Sequence, residues 1–142
     1  MKNDFILADS NILIYAINRS SPKHRMAQEF LQANIGRLVL AHQNVLESLR
    51  VLTHRKFANP MSPSEASVAI GSIADACRII TPDRTSYHLA LQLIGKYVLP
   101  GDMVFDAYLA ATALANNVAI VATDNTKDFA IIEEVKVVNP FK

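Results

Sequence analysis

Residues 5–11 read Phe5-Ile6-Leu7-Ala8-Asp9-Ser10-Asn11, a short apolar run followed by three residues that often cap helices. The pattern predicts a buried strand, a turn and then a helix. Four further short runs of β-branched or apolar residues alternate with segments of helical periodicity. These runs are Leu38 to Ala41, Arg78 to Thr81, Val118 to Thr123 and Lys136 to Val138.

The connections between these runs are much too long for hairpins, so they indicate right-handed βαβ units and a mostly parallel sheet. The predicted fold class is therefore α/β. Further helices are expected between Ser21 and Gly36, from Gln43 to about Asn59, from Ser62 to about Ala76, from Thr85 to Tyr97 and from Met103 to Asn116. No linker, repeat or low-complexity tract interrupts the sequence, and we expect a single domain over residues 1–142.

The composition excludes several classes of protein. With 51% apolar and 19% charged residues, the chain is not disordered, and its apolar runs fall far short of the roughly 20 residues that cross a membrane. Because Asp9 and its neighbours interrupt the first apolar run before any cleavage site, we expect no signal peptide and a cytoplasmic protein. A single cysteine, Cys77, cannot form an internal disulfide and is expected to be a small buried hydrophobe.

Several catalytic and cofactor sites are also excluded by spacing. The four glycines lie too far apart for a phosphate-binding loop or a dinucleotide fingerprint, so no nucleotide cofactor held in that way is expected. The four histidines include no pair one helical turn apart, as a zinc protease would need. No serine lies in a G-x-S-x-G segment, which leaves nucleophilic catalysis with little support.

Acidic residues follow the predicted strands at one edge of the sheet, where α/β proteins bind ligands. Asp9 follows the first strand and Asp124 the fourth, and both strands are expected to be central because their runs are almost wholly apolar. Glu47 and Asp106 lie near the beginnings of helices that start from the same edge. Asp128, four residues after Asp124, joins them if its segment forms a helical turn.

Taken singly, most of these acids have an ordinary structural explanation. Asp9 can be only a helix N-cap, and Glu47 only a solvated residue paired with Arg50. Asp106 has mostly apolar neighbours in the sequence, where an uncompensated carboxylate is costly. Asp102, one turn earlier, is expected to cap the same helix rather than to bind a ligand.

Taken together, the acids favour a metal site. Like charges crowded in one partly desolvated pocket are normally protonated or neutralised by a cation, and an all-oxygen set suits Mg²⁺ or Mn²⁺. Such sites hydrolyse phosphodiesters. The chain has 13 acidic residues, and 8 remain against 14 basic ones when five are set aside: Asp9, Glu47, Asp106, Asp124 and Asp128. This excess of positive charge outside the site weakly favours a polyanionic substrate. The candidate phosphate contacts are Arg19, Lys23, Arg25, Arg50, Arg55, Lys56 and Lys127.

Four segments resemble the successive motifs of the PIN domain: Asp9-Ser10-Asn11-Ile12-Leu13, Gln43-Asn44-Val45-Leu46-Glu47, Phe105 to Ala113, and Thr123 to Phe129. The similarity is closest to the VapC-type toxins of toxin–antitoxin pairs and covers nearly the whole chain. It implies a three-layer α/β/α sandwich around a five-stranded, mostly parallel sheet. It also implies metal-dependent endoribonuclease activity.

The resemblance assigns a role to each motif residue. The acidic quartet that holds one or two Mg²⁺ or Mn²⁺ ions is Asp9, Glu47, Asp106 and Asp124. Supporting residues are Ser10 or Asn11 for the first carboxylate, Thr123 for the last, and Asp128 as an outer partner. Expected contacts to the RNA substrate are Arg50, Lys127 and Arg19.

The resemblance further implies a homodimer and a cognate antitoxin. The stretch from Gln43 to Cys77 offers either an apolar groove for a partner helix or ordinary core packing. Two other functions stay open at this point. A receiver-like signalling domain needs a phosphoacceptor aspartate after a middle strand, where this chain has Thr81-Pro82. A catalytically idle PIN-fold binding protein is the other.

Overall fold

The computed structural model describes residues 4–142, which form five strands and seven helices. In chain order they are β1 (Ile6–Ala8), α1 (Ser10–Ile17), α2 (His24–Ala33), β2 (Leu38–Ala41), α3 (His42–Thr53), α4 (Pro63–Ala74), β3 (Arg78–Ile80), α5 (Arg84–Tyr97), α6 (Met103–Ala115), β4 (Ile120–Ala122), α7 (Lys127–Ala130) and β5 (Lys136–Val138).

All five strands run parallel, in the order β3-β2-β1-β4-β5. The predicted α/β class and five-stranded parallel sheet are confirmed, and β1 and β4 lie inside the sheet as expected. The receiver-like alternative is wrong, because receiver domains place their third strand in the middle of a 2-1-3-4-5 order whereas β3 is an edge strand here.

Helices cover both faces of the sheet. Within β1, Leu7 packs into a core formed with α5 and α6, whereas Ile6 and Ala8 pack into a core formed with α1 to α4. This alternation follows from the two-residue repeat of a strand. The result is the three-layer α/β/α arrangement that the resemblance implied.

Local side-chain contacts set the beginnings of the helices that carry acidic residues. Asp9 is the N-cap of α1, and its Oδ1 accepts a hydrogen bond from the Ser10 amide at 2.8 Å. In α3, Asn44 Oδ1 accepts from the Ala41 amide at 2.9 Å, which fixes the first turn and therefore the position of Glu47 one turn later.

One element differs from the sequence expectation, and one conditional expectation is met. Helix α3 ends at Thr53 rather than near Asn59, because residues 54–57 form a turn closed by a 2.8 Å bond from the Phe57 amide to the His54 carbonyl. The segment after Asp124 contains a short helix, α7, and so meets the condition that would bring Asp128 toward the other acids.

Cys77 is partly buried against the α1 to α4 side of the core, and burial raises the pKa of its thiol to about 11. That agrees with the expected role as a small hydrophobe. None of the helices within residues 4–142 is long and apolar enough to cross a membrane.

Candidate active site

An open cavity of about 580 Å³ lies at the carboxyl edge of the sheet, between α3, α6 and α7. We call it the acid cleft. Its lining residues are Glu47, Arg50, Asp102, Met103, Phe105, Asp106 and Asp128. Asp9 does not line the cleft, but its charge acts on Glu47 and Asp106. The structure thus brings together Asp9, Glu47 and Asp106 of the predicted quartet.

Asp106 is the most strongly perturbed acid of the acid cleft. Burial raises the pKa of its carboxyl to about 7, and the negative charges of Asp128, Asp9, Glu47 and Asp102 add to the shift in that order. At neutral pH, Asp106 is therefore about half protonated. A cation bound beside this carboxyl would favour its ionised form and so restore its full negative charge.

Asp9 and Glu47 are also shifted toward the protonated form. Burial raises the pKa of Asp9, although hydrogen bonds from Thr123 and the Ser10 amide oppose it. Burial and the charge of Asp9 raise the pKa of Glu47, against hydrogen bonds from Gln43 and Ser10 and the charge of Arg50. The arrangement is therefore a cluster of carboxylates that repel one another.

Asp124 and Asp128 have exchanged their expected places. Asp124 was predicted beside the other acids, but its Oδ2 accepts a 2.8 Å hydrogen bond from the Tyr15 hydroxyl and forms an ion pair with Lys23. These contacts lower the pKa of Asp124. Asp128, predicted as the outer partner, instead lines the acid cleft and acts electrostatically on Asp9 and Asp106.

Known proteins resemble this chain over most of its length. The family model described as "PIN domain" matches residues 6–135. This chain belongs to the PIN domain family. It is 30% identical over 125 residues to Ribonuclease VapC43 of Mycobacterium tuberculosis (strain ATCC 25618 / H37Rv), covering 84% of this chain and 85% of that protein. It has the same identity and coverage with VapC ribonuclease Mb2897 of Mycobacterium bovis.

Solved structures share the fold. The chain superimposes with a TM-score of 0.74 and 14% identity on a DNA-bound VapBC structure from Salmonella typhimurium, covering 96% of this chain and 98% of that chain. A toxin–antitoxin complex from Klebsiella pneumoniae gives a TM-score of 0.68 at 25% identity, with the same coverage.

The supporting residues of this PIN domain join β4 to α1. Thr123 was expected to support the last acid, but its hydroxyl donates to Asp9 Oδ2 at 2.8 Å. The Asn11 side-chain amide donates to Thr123 Oγ1 at 3.0 Å, and Asn11 Oδ1 accepts from the Asp124 amide at 3.2 Å. Asn11 therefore orients the first carboxylate through Thr123, and Ser10 contacts it directly through its backbone amide.

Of the predicted RNA contacts, the structure places Arg50 in the wall of the acid cleft. Arg19 and Lys127 are exposed, and neither lines the acid cleft. Two further basic candidates have acidic partners instead: Lys23 pairs with Asp124, and Arg25 with Glu29.

Asp102 was expected to cap α6 rather than to act in the site, and that prediction is wrong. It occupies the N-cap position, but its backbone is already helical and its side chain makes no capping bond, and its carboxylate contributes to the raised pKa of Asp106. The spacing of four residues, one helical turn, was the available signal. Nothing in the sequence indicates that Lys23 and Tyr15 reach Asp124, since they lie 101 and 109 residues away.

The donor set suits a hard divalent ion, but the side chains are not drawn together around one. Within residues 4–142, no three acidic, histidine or cysteine side chains are arranged so that they could already hold a metal. Mg²⁺ is commonly bound through one or two carboxylates and several waters, which an open cavity of about 580 Å³ can accommodate. The acid cleft therefore fits such an ion.

An apolar groove is present, although not where the sequence placed it. A cavity of about 510 Å³ lies between α1, α2 and α4, and its apolar wall includes Ile17, Leu31, Ile35 and Ile73. Helix α4 belongs to the stretch that was expected to form a groove, but α3 does not line this cavity. Cys77 also lies in its wall.

Proposed function

We propose that this PIN domain is a metal-dependent endoribonuclease and the toxin of a toxin–antitoxin pair. The observation that carries the proposal is the gathering of Glu47, Asp102, Asp106 and Asp128 in an open cleft with Asp9 beside it, where burial first and the neighbouring charges second raise the pKa of Asp106 to about 7. Curated relatives at 30% identity are named VapC ribonucleases. RNA as substrate implies that the protein acts in the cytoplasm.

The residues that would hold one or two Mg²⁺ or Mn²⁺ ions are Asp9, Glu47, Asp106 and Asp128. A bound divalent ion promotes ionisation of the attacking water and neutralises charge that develops on the phosphate. Asp9 is oriented for this role by the Thr123 hydroxyl and the Ser10 amide. Asp124 acts indirectly, because its amide fixes Asn11, which in turn holds Thr123.

Glu47 and Arg50 lie on one wall of the acid cleft and suit different parts of the reaction. Glu47 would contribute a carboxylate oxygen to the ion, since its raised pKa indicates that the nearby Arg50 does not fully balance its charge. The Arg50 guanidinium is positioned to bind a phosphate oxygen.

The direct test is cleavage of single-stranded RNA by the purified protein. We expect cleavage with Mg²⁺ or Mn²⁺, none in excess chelator, and a loss of at least a hundredfold in Asp9→Asn and Asp106→Asn, as is usual when a positioned charge of the reaction is removed. Asp75→Asn is the matched control, because Asp75 is exposed at the end of α4. Full activity of Asp106→Asn, or of the wild type in chelator, would overturn the proposal.

Metal titration separates this function from that of an idle PIN-fold protein. Calorimetry with Mn²⁺ should show binding to the wild type and to Asp75→Asn, and a weakening of at least tenfold in Asp106→Asn. An idle protein would bind Mn²⁺ equally weakly in all three.

The antitoxin partner is expected to occupy the apolar groove between α1, α2 and α4. The groove's wall is largely aliphatic, as in surfaces that accept an amphipathic helix. Among the structures that share this fold, one is described as a toxin–antitoxin complex. Coexpression with the product of the adjacent reading frame, followed by Ile35→Asp to break the complex, tests this assignment.

A homodimer is the proposed oligomeric state. Leu46 and Phe105 are 65% and 59% exposed and line one apolar cavity, which a second copy would cover. Light scattering should give twice the mass of the chain, and Leu46→Asp should shift it toward the monomer.

A further inference from the structure

The acid cleft continues into a second cavity at the end of α3. This cavity has a volume of about 270 Å³ and is lined by Arg50, Val51, His54, Lys56 and Phe57. Arg50 lines both cavities. The surface therefore changes from acidic to basic across a single side chain.

The geometry of α3 places these groups in a row. Glu47 and Arg50 are separated by three residues and share one face of α3, and His54, four residues after Arg50, follows the last residue of the helix as its C-cap. At about 1.5 Å per residue, His54 lies about 10 Å farther along the helix axis than Glu47. The turn after Thr53 then carries Lys56, whose amide donates to His54 Nδ1 at 3.1 Å. The row begins at a proposed catalytic carboxylate and leads away from it.

The basic groups of this row are available to a ligand. Arg50, His54 and Lys56 are exposed. Within residues 4–142, the ion pairs involve Lys23, Arg25 and Lys96, and none includes Arg50 or Lys56. Because His54 Nδ1 accepts a bond, the neutral ring carries its proton on Nε2 and can donate it.

We propose that Arg50, His54 and Lys56 bind backbone phosphates of the RNA strand next to the scissile one, so that the strand runs along α3. The inference rests on the proposed function, since a phosphodiester placed in the acid cleft must continue into neighbouring nucleotides. The guanidinium of Arg50 matches a phosphate with two parallel hydrogen bonds. Lys56 and His54 supply a charge and a donor farther along, where backbone contacts fix the path of a strand without selecting its sequence.

The test measures RNA binding in an Asp106→Asn parent, in which the RNA is not cut. A labelled single strand of about 12 nucleotides is titrated by fluorescence anisotropy between about 50 and 200 mM KCl. The variants are Arg50→Gln and Lys56→Gln. Lys136→Gln is the matched control, because Lys136 is exposed at the opposite end of the strands, at the start of β5. Melting temperatures are recorded for all four proteins.

Each variant should weaken binding roughly three- to tenfold at low salt and make the slope of log K against log salt shallower by about 0.7, the value for one phosphate contact on a single strand. Lys136→Gln should match the parent. With a dinucleotide, Lys56→Gln should show no loss, because the strand is too short to reach it.

Two results would overturn the proposed path. In the first, Arg50→Gln and Lys56→Gln bind RNA like the parent but melt at a lower temperature. The native side chains of Arg50 and Lys56 would then only stabilise the negative, C-terminal end of α3. In the second, polyglutamate of equal charge competes as well as RNA, which means that the row is a surface for acidic peptides.

Cleavage by the wild type distinguishes this failure from failure of the proposed function. If wild-type protein cuts RNA while both variants bind normally, only the path along α3 is wrong. If wild-type protein does not cut RNA, but RNA binding by both variants is weaker and depends less on salt, then Arg50 and Lys56 still contact RNA. In that case only the nuclease proposal fails.

Discussion

At the scale of single residues, Asp106 concentrates the electrostatics of the molecule. Its pKa of about 7 in the folded protein lies far above the ordinary value of 3.8. Between these values the folded chain holds a proton that the unfolded chain has released. The contribution of Asp106 to stability therefore falls as pH rises from about 4 to about 7, and its loss is complete above pH 7.

Asp106→Asn should remove this loss. In chelator at about pH 8, we expect the variant to be more stable than the wild type by about 1 to 2 kcal/mol, a figure discounted because Asp106 is partly exposed to solvent. At about pH 4 the difference should vanish. Urea unfolding at both pH values measures it, with Asp75→Asn as the control. A pH-independent difference would mean that neither burial nor the neighbouring carboxylates raise the pKa of Asp106.

Asp124 and Asp128 are a pair of aspartates four residues apart with opposite surroundings. Asp128 faces other carboxylates, so Asp128→Asn should weaken Mn²⁺ binding by at least tenfold without loss of stability. Asp124 faces Lys23 and Tyr15, so Asp124→Asn should cost about 1 kcal/mol of stability and change Mn²⁺ affinity less than threefold. Calorimetry and thermal unfolding of the two variants decide between them. If instead Asp124→Asn weakens Mn²⁺ binding and Asp128→Asn lowers stability, Asp124 is the metal ligand and Asp128 the outer partner, as the sequence predicted.

At the scale of elements, the site depends on a junction between β4 and α1 in which one hydroxyl makes three hydrogen bonds. The Thr123 hydroxyl donates to Asp9 and accepts from the side chain of Asn11 and the amide of Asn125. Asp9 and Thr123 are both buried, so water does not readily replace the Thr123 hydroxyl as the donor to Asp9 Oδ2.

Thr123→Val should therefore affect both stability and the site. We expect a loss of about 1 to 3 kcal/mol, since an oxygen of buried Asp9 is left without a donor, together with roughly tenfold weaker Mn²⁺ binding. Thr123→Ser keeps the hydroxyl and should restore Mn²⁺ affinity. Denaturant unfolding and calorimetry measure the two effects. If serine behaves like valine, the methyl group rather than the hydroxyl supports the junction.

The sequence predicts the strands and helix caps themselves but not the side-chain contacts between distant elements. Apolar runs such as Ile6–Ala8 and caps such as Asp9 act within a few residues, so pattern and propensity locate them. The pairing of Asp124 with Lys23 joins side chains 101 residues apart, and the direction of a side chain at a strand end depends on partners from other elements. For this reason the sequence locates the acids along the chain but does not determine which of Asp124 and Asp128 lines the acid cleft.

At the scale of the whole molecule, opposite charges are segregated over a chain whose net charge is only +1. The acid cleft gathers four carboxyls, from Glu47, Asp102, Asp106 and Asp128, with Asp9 beside it, whereas the adjoining cavity is basic. An unneutralised cleft repels the phosphates that the basic side attracts. Substrate affinity should therefore depend on whether a cation occupies the cleft.

A divalent cation should consequently strengthen RNA binding, although added salt weakens it. Ca²⁺ prefers oxygen ligands as Mg²⁺ does, and it should raise the affinity of the wild type for single-stranded RNA at least threefold when ionic strength is held constant with KCl. In Asp106→Asn, which lacks one carboxylate of the cleft, the gain should be smaller. Anisotropy titrations with and without Ca²⁺ measure it, and gel analysis confirms that the RNA stays intact. If Ca²⁺ only lowers affinity, as an equal ionic strength of KCl does, the cleft does not bind the cation and its carboxylates do not control access of the strand.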